Sequence, residues 1–152
     1  LKRKSALDDM MDELAAFLHE NGSTTGYCDP EWMDRVGMPL RDAGLTVETQ
    51  FDRDRYDHYQ FGITRARGAI AESGSLILDD DWTSDRLGAL APWVHVAILE
   101  RHEVIRTIPE AATRLGDTPY AIWVTGPSKT ADVEGILIKG VHGPGVQIAL
   151  GL

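Results

Sequence analysis

The sequence is poor in features that several classes of protein depend on. It has a single cysteine, Cys28, among 152 residues. No internal disulfide can therefore form, and this chain alone cannot supply four thiolates to an iron–sulfur cluster. No apolar run approaches the roughly 20 residues that cross a bilayer, and no signal-peptide core precedes the first predicted helix. These absences predict a chain that does not insert into a membrane and has a cytoplasmic location.

Basic residues are scarce relative to acidic ones. The chain has 15 lysines and arginines against 24 aspartates and glutamates, which gives a formal net charge of −9 at pH 7. Phosphate backbones and anionic headgroups repel such a chain, so we expect neither nucleic acid nor a membrane surface as a partner. With 43% hydrophobic and 26% charged residues, the composition is that of a globular protein, and its length fits one domain.

The periodicity of the apolar residues predicts an α/β fold. An amphipathic helix is expected over Ser5 to Glu20, a second helix after the start signal Asp29-Pro30, and a short strand over Leu45 to Thr49. From Phe61 onward, apolar strand runs alternate with capped helices, which is typical of a mostly parallel sheet covered by helices on both sides. The runs lie at 61–63, 69–78, 94–99, 121–124 and 146–150. We expect one domain over 1–152, with a helical part at 1–60 and the core at 61–152.

The first candidate site is the sequence AESGS at 71–75, where a carboxylate lies beside a Ser-Gly turn. Glycine inside a strand-like run indicates a bend where a ligand or another backbone approaches closely. A buried Glu72 would need a hydrogen-bonding partner and could act as an acid, a base or a nucleophile, with Ser73 and Gly74 beside the ligand. Alternatively, Glu72 bonds to backbone amides and holds the turn. The pattern leaves both interpretations open.

The second candidate is TGPSKTADVEG at 125–135, which follows the apolar run 121–124. Its first residues would end a parallel strand, which is where open α/β sheets bind their ligands. A helix reaching about Ile138 is expected next, and its amide groups and dipole would attract an anion. The acidic side chains of its first turns either belong to that site or only complement the dipole. The residues of this predicted small-anion site are Gly126, Pro127, Ser128, Lys129, Thr130 and Asp132.

The third candidate is KGVHGPG at 139–145, where glycines allow a sharp turn before the last predicted strand. His142, with Gly143 beside it, can donate a proton or orient a carboxylate near neutral pH, or it can be structural. His95 lies within an apolar strand and is expected to be a satisfied core residue. No spacing of histidine, cysteine or carboxylate side chains indicates a metal, so we expect neither a metal nor a cofactor.

Four blocks of the sequence resemble the LUD-domain family, specifically its lactate utilisation protein C group. They are GAIAESGSLIL (68–78), PWVHVAIL (92–99), VTGPSKTADVEG (124–135) and KGVHGP (139–144). The resemblance implies a three-layer α/β/α fold similar to that of the glucosamine-phosphate deaminase, ribose-phosphate isomerase and CoA-transferase group. It covers 61–152 better than 1–60. Because family members are longer at the N-terminus and this chain opens with Leu1, it also implies that a native N-terminal segment is missing.

The resemblance implies a role in a bacterial system that oxidises L-lactate to pyruvate together with two iron–sulfur proteins. We therefore expect a non-redox accessory subunit that binds a small carboxylate, another anion or those partner proteins at the carboxyl edge of the sheet. The alternative is a stand-alone transferase or isomerase acting on a CoA-linked or phosphorylated molecule. In that case Glu72 would resemble the nucleophile of the Glu-Asn-Gly turn in related CoA transferases, although Ser73 replaces the asparagine. A structural scaffold is a third possibility.

Overall fold

A five-stranded sheet in which every pairing is parallel forms the centre of the protein. The computed structural model describes residues 5–79, 83, 85–118, 120–127, 129–131 and 137–152. In spatial order the strands are β11 (Val146–Gly151), β6 (Val94–Leu99), β3 (Phe61–Arg65), β1 (Thr25–Cys28) and β2 (Thr46–Glu48). All six residues of β6 are buried, as its unbroken apolar run predicts. A mostly parallel sheet flanked by helices confirms the predicted α/β class.

Helices cover one face of this sheet. Helix α1 (Ala6–Glu20) begins at Ser5, whose hydroxyl accepts from the amide of Asp8, while the Asp8 carboxylate accepts from the amide of Ser5. The predicted start at Asp29-Pro30 is also confirmed. The chain there forms a 3₁₀ turn (Pro30–Trp32), a π-helical turn (Met33–Gly37) and helix α2 (Met38–Asp42). The main core lies between these helices and the sheet, and its largest fully buried side chains include Leu18, Leu40, Phe61 and Ile63.

A second, mixed sheet covers part of the other face, and the sequence did not predict it. Its strands, in spatial order, are β7 (Val104–Ile105), β4 (Gly68–Ile70), β5 (Ser75–Asp79) and β8 (Ala121–Thr125). Together with helix α3 (Arg86–Leu90), this sheet packs on the parallel sheet through a cluster that includes Leu76, Leu78 and Ala97. Helix α4 (Ile108–Leu115) packs against the mixed sheet through Ala111.

Two expectations about strands are wrong. The run 69–78 is not one strand, because β4 and β5 form an antiparallel pair joined by the turn 71–74, with Ile70 opposite Ser75. The run 121–124 is neither parallel nor buried on both faces. It is β8, an edge strand of the mixed sheet that pairs antiparallel with β5 and leaves Trp123 37% exposed. Unbroken apolar composition identified a strand here but not its partner.

The helix expected from Ser128 to Ile138 is also wrong. The described part of this segment contains strand β9 (Lys129–Ala131) and strand β10 (Leu137–Lys139), which pair antiparallel with Thr130 opposite Ile138. Both of these residues are β-branched and favour strands over helices. Ser128 and Asp132 lie outside the described residues. A helix N-terminus therefore does not supply an anion site at Lys129–Ala131, and the site residues named for this segment stay a prediction.

The first 60 residues contribute two of the five parallel strands, although they were expected to be helical apart from one short strand. The sequence did not predict β1. Its Gly26 allows the close packing, because a Cβ there would lie 2.2 Å from Cδ2 of the buried Phe61. Cys28, the last residue of β1, is buried, and burial raises the pKa of its thiol to about 12. Among the described residues, no helix is long and apolar enough to span a bilayer.

Candidate functional site

The mixed sheet brings the first two sequence motifs side by side. Ser75 of β5 lies opposite Thr125 of β8, and their hydroxyl oxygens are 2.6 Å apart. The hydroxyl of Ser73 extends this chain, 2.7 Å from that of Ser75. Gly74 and Gly126 both have positive φ angles, +67° and +71°, which glycine adopts without strain. The Ser73-Gly74 turn and the Gly126-Pro127 turn are therefore neighbours, joined by three hydroxyl groups.

A cavity of about 280 Å³ lies where these two turns meet the parallel sheet, and we call it the inter-sheet cavity. The residues that line it are Ala69, Ile70, Ala71, Gly74, Leu76, Gly126, Pro127, Gln147 and Ala149. Most of these side chains are small and apolar, so the cavity offers few polar contacts. The described residues that line it include no charged side chain.

Glu72 is not among the residues that line this cavity. Its side chain is exposed, and its Oε2 accepts a hydrogen bond of 3.0 Å from the amide of Ile108, the first residue of α4. Thr107 accepts from the amide of Glu110 at the same helix end, as expected for a cap. The carboxylate thus satisfies a backbone amide that would otherwise lack a partner within the helix. This geometry favours the structural interpretation of Glu72, and its role as a nucleophile stays a prediction.

A larger cavity, of about 710 Å³, lies between the second and third motifs, and we call it the large cavity. Six of the predicted site residues line it: Gly126, Pro127, Lys129, Thr130, His142 and Gly143. Leu90, Ile122, Trp123, Val124, Thr125 and Pro144 complete its wall. The structure therefore brings together the TGPSK and HGP segments, while Glu72, Ser73 and Gly74 lie elsewhere.

The position of the large cavity differs from the predicted one. The strand that leads into Gly126 is β8 of the mixed sheet, not a parallel strand, and His142 comes before β11 rather than after a strand. The cavity therefore lies at the carboxyl end of β8 and the amino end of β11. The expectation of a site at the carboxyl ends of the parallel strands is wrong for these residues.

Trp93 supports the loop that carries His142. A Cβ at Gly140 would lie 2.3 Å from Cζ3 of the indole, and one at Gly145 would lie 2.3 Å from Cζ2, so the loop backbone lies directly against the ring. The amide of Val146 also donates to the carbonyl of Trp93. Because Trp93 precedes β6 and the loop precedes the neighbouring β11, the indole fixes the loop at the edge of the parallel sheet. Glycine is required at both positions for this contact.

The described residues that line the large cavity include one permanent cation, Lys129, and no carboxylate. Thr130 adds a hydroxyl, and the exposed His142 adds a ring that can donate or accept a hydrogen bond. In a chain of net charge −9, a wall of this kind favours a small anion over a cation. No group of three described side chains has the composition and spacing of a metal site.

A buried polar chain that the sequence did not reveal lies behind the inter-sheet cavity. His95 is fully buried, and its Nδ1 accepts from the side-chain amide of Gln147, which lines that cavity. Its Nε2 lies 2.9 Å from the hydroxyl of Thr64 and donates to it. Burial lowers the pKa of His95 to about 4, so the ring is neutral near pH 7. The prediction that His95 is a satisfied core residue is confirmed.

Comparison with known proteins identifies the family of this chain. The model of the LUD domain matches residues 12–149. Lactate utilization protein C of Oceanobacillus iheyensis is 32% identical over 75% of this chain and 51% of its own length. Lactate utilization protein C of Macrococcus caseolyticus is 34% identical over 93% of this chain and 67% of its own length.

A solved structure supports the fold. A DUF162 family protein from Deinococcus radiodurans superposes with a TM-score of 0.55 over 98% of this chain and 100% of its own, at 15% identity. The chain spans between half and about two thirds of the length of the two curated relatives described above. The family model covers most of the chain, and the relatives match it at about one residue in three. The chain therefore belongs to the LUD-domain family.

Proposed function

We propose that this chain binds a small organic anion in the large cavity and serves as a non-redox accessory subunit of a bacterial system that oxidises L-lactate to pyruvate. The observation that carries the binding site is the convergence of Lys129, Thr130 and His142 on one cavity without a described carboxylate. The link to lactate comes from the relatives named lactate utilization protein C.

The wall of the large cavity has the groups that a 2-hydroxy acid requires. The ammonium of Lys129 pairs with the carboxylate, Thr130 and His142 hydrogen-bond with the hydroxyl, and Leu90 and Ile122 contact the methyl group. Lys129 is exposed, and an exposed ion pair contributes only about 0.2–1 kcal/mol. We therefore expect weak binding, with a Kd on the order of 1 mM.

The thiol chemistry of this chain supports the proposed accessory role. Electron transfer from lactate needs a redox centre, and a thiolate is the form of cysteine that binds iron–sulfur clusters. The single cysteine, Cys28, is buried with its pKa raised to about 12, so it is not poised as such a ligand. We assign the redox centres to iron–sulfur partner proteins, to which this chain contributes ligand binding. A transferase-like role for Glu72 has less support, because its carboxylate already accepts from the amide of Ile108.

Titration of the protein with L-lactate by isothermal calorimetry tests the binding site. The variant Lys129→Gln removes the cation of the large cavity, and we expect it to weaken L-lactate binding by about 1.4-fold to fivefold, the factor that corresponds to about 0.2–1 kcal/mol. The control variant Arg101→Gln removes an exposed positive charge that does not line the cavity. Equal affinities for wild type and Lys129→Gln would contradict the assignment of the site.

Reconstitution tests the accessory role. The protein is mixed with purified iron–sulfur proteins of the lactate system, and lactate-dependent dye reduction is measured with and without it. We expect the rate to fall when this chain is left out, and to fall with Lys129→Gln but not with Arg101→Gln. Full dye reduction in the absence of this chain would rule out the accessory role, even if L-lactate binds.

A further inference from the structure

We infer that a further cavity, at the amino ends of the parallel strands, binds a small organic ammonium ion. This cavity, which we call the amino-edge cavity, has a volume of about 370 Å³. Ser23, Gln60 and Trp93 line it just before the chain enters β1, β3 and β6. The cavity is separate from the proposed anion site, since Gly143 alone among the described residues lines both.

Two exposed aromatic side chains line the amino-edge cavity. Tyr56 is 58% exposed and Trp93 is 47% exposed. The backbone at Gly140 and Gly145 lies against the indole of Trp93 and holds that ring in place. Among the described residues, no aromatic ring stacks on Tyr56. Aromatic faces attract organic cations that come within about 6 Å of the ring centre, so these two side chains supply the surface that an ammonium group requires.

The electrostatics of the amino-edge cavity also favour a cation. Asp57 contributes an exposed carboxylate, and it is the one charged side chain among the described residues that line the cavity. Helix α1, which is 15 residues long, ends at the same place, where Asn21 caps it and lines the cavity. The C-terminal end of a helix carries partial negative charge and stabilises a nearby cation. The carboxylate and the helix end therefore act in the same direction as the aromatic rings.

Two polar groups of this cavity can accept hydrogen bonds from a ligand. Ser23 is 3% exposed, and its hydroxyl forms no hydrogen bond to another described residue. A buried hydroxyl normally has a partner, and the cavity that Ser23 lines is the place from which a ligand can supply one. Asn21 donates through Nδ2 to the carbonyl of Phe17 at 2.8 Å, which leaves its Oδ1 as an acceptor. An ammonium group, or the hydroxyl of an amino alcohol, can donate to both.

The wall of the amino-edge cavity is held together by side chains whose own polar groups are engaged. Gln60 joins two of the segments that line it, because its Oε1 accepts from the amide of Thr24 at 2.7 Å and its Nε2 donates to the carbonyl of Gly22 at 3.0 Å. The phenol of Tyr59 donates to the carboxylate of Glu48 at 2.8 Å and anchors the end of the loop 51–59. A wall that is already ordered loses little conformational freedom when a ligand binds.

Proton NMR titration at pH 7 with two matched pairs of compounds tests this site. Choline is compared with its neutral isostere 3,3-dimethyl-1-butanol, and propylammonium with 1-propanol. We expect at least one cation to bind about fivefold more tightly than its neutral counterpart, the factor typical of one cation–π contact. Its methyl or methylene resonances should also shift upfield, because they would lie over aromatic rings. A preference for choline assigns the ligand to quaternary ammonium compounds, and a preference for propylammonium assigns it to primary amines.

Variants of exposed residues locate the binding. Tyr56→Ala should weaken binding of the preferred cation about two- to fivefold, whereas Tyr56→Phe retains the ring and should keep the wild-type affinity. Asp57→Asn should weaken it by about 1.4-fold to fivefold and leave binding of the neutral compound unchanged. The matched control Asp54→Asn removes an exposed carboxylate of the same loop that is not among the described residues lining the cavity. Circular dichroism verifies that each variant is folded.

Three results would overturn the assignment of this site. Equal affinities for both cations and their neutral counterparts would show that the cavity does not select positive charge. Wild-type cation affinity in both Tyr56→Ala and Asp57→Asn would locate the binding elsewhere. Equal weakening by Asp57→Asn and Asp54→Asn would show only a general attraction of cations to an acidic chain. A cation preference that is lost in Tyr56→Ala and kept in Tyr56→Phe and Asp54→Asn supports the site.

Discussion

The buried His95 makes the free energy of unfolding of this protein depend on pH, because burial lowers the pKa of its ring. Its ring is fully enclosed, accepts from Gln147 and donates to Thr64. Burial lowers its pKa from 6.5 to about 4, because the charged imidazolium would lose its solvation. The His95 ring therefore stays neutral in the folded protein down to about pH 4. In the unfolded chain the same ring takes up a proton once the pH falls below about 6.5.

The sign and size of the effect follow from this difference in pKa. Above about pH 6.5 the His95 ring is neutral in both the folded and the unfolded state, so its protonation takes nothing from the free energy of unfolding. As the pH falls toward 4, the unfolded state gains protons first, and the free energy of unfolding decreases. Each pKa unit corresponds to about 1.4 kcal/mol, so the loss approaches about 3 kcal/mol at pH 4. For a domain of ordinary stability, that is a large fraction of the total.

Urea unfolding followed by tryptophan fluorescence between pH 7 and pH 4 measures this effect. The variant His95→Gln lacks the titrating ring, so its free energy of unfolding should decrease less over this range, by about 3 kcal/mol. The control variant His58→Gln removes an exposed histidine and should keep the wild-type pH dependence. Carboxylates contribute equally to all three proteins. Parallel pH profiles for wild type and His95→Gln would refute the assignment of His95 as a buried neutral base.

Two further predictions concern the turns around the candidate site. Glu72→Ala should lower the free energy of unfolding by about 0.5–2 kcal/mol, because the amide of Ile108 loses its acceptor, and Glu72→Gln should cost less since its amide oxygen still accepts. An unchanged urea midpoint for Glu72→Ala would show that this bond does not stabilise α4. Gly145→Ala places a Cβ against Trp93 and should destabilise the protein by about 1–3 kcal/mol and shift its tryptophan emission. Gly151→Ala, which meets no atom within 4 Å, is its control, and equal stabilities would contradict the packing described for the loop.

Local signals in the sequence were sufficient for elements that depend on short-range contacts. Helix α1 combines an apolar period of about 3.6 residues with a cap at Ser5, and both are visible in the sequence. Strand β6 is an unbroken apolar run because both of its faces are covered. For α1, the residues that determine the helix are close together in the chain. For β6, the apolar composition itself indicates that both faces are buried.

Elements that depend on distant partners were not predicted correctly. The run AIWV before Thr125 has the composition of a central strand, yet it lies at an edge, because its partner is β5 rather than another parallel strand. Thr130 follows a serine that resembles a helix cap, yet it pairs with Ile138 across a two-stranded sheet. Strand propensity depends on such cross-strand neighbours, which spacing along the chain does not identify.

The candidate site shows the same division. Lys129, Thr130 and His142 were identified because they lie in glycine-rich segments, and the structure places all three on the large cavity. Leu90 and Ile122 also line this cavity but were not identified, because an apolar residue in a helix or strand has no motif that indicates a site. Their shared position depends on how α3 and the mixed sheet pack against one cluster, not on local sequence.

The Gly126-Pro127 turn explains why these residues could be found from an incorrect strand assignment. This turn lines both the large cavity and the inter-sheet cavity, so it is the wall between them. The hydroxyl chain from Thr125 through Ser75 fixes its start to the mixed sheet. Any strand that ended at Thr125 would have presented Lys129 and Thr130 just beyond it. What the mixed sheet adds is the second wall of the large cavity, which includes Ile122 and Trp123 of β8.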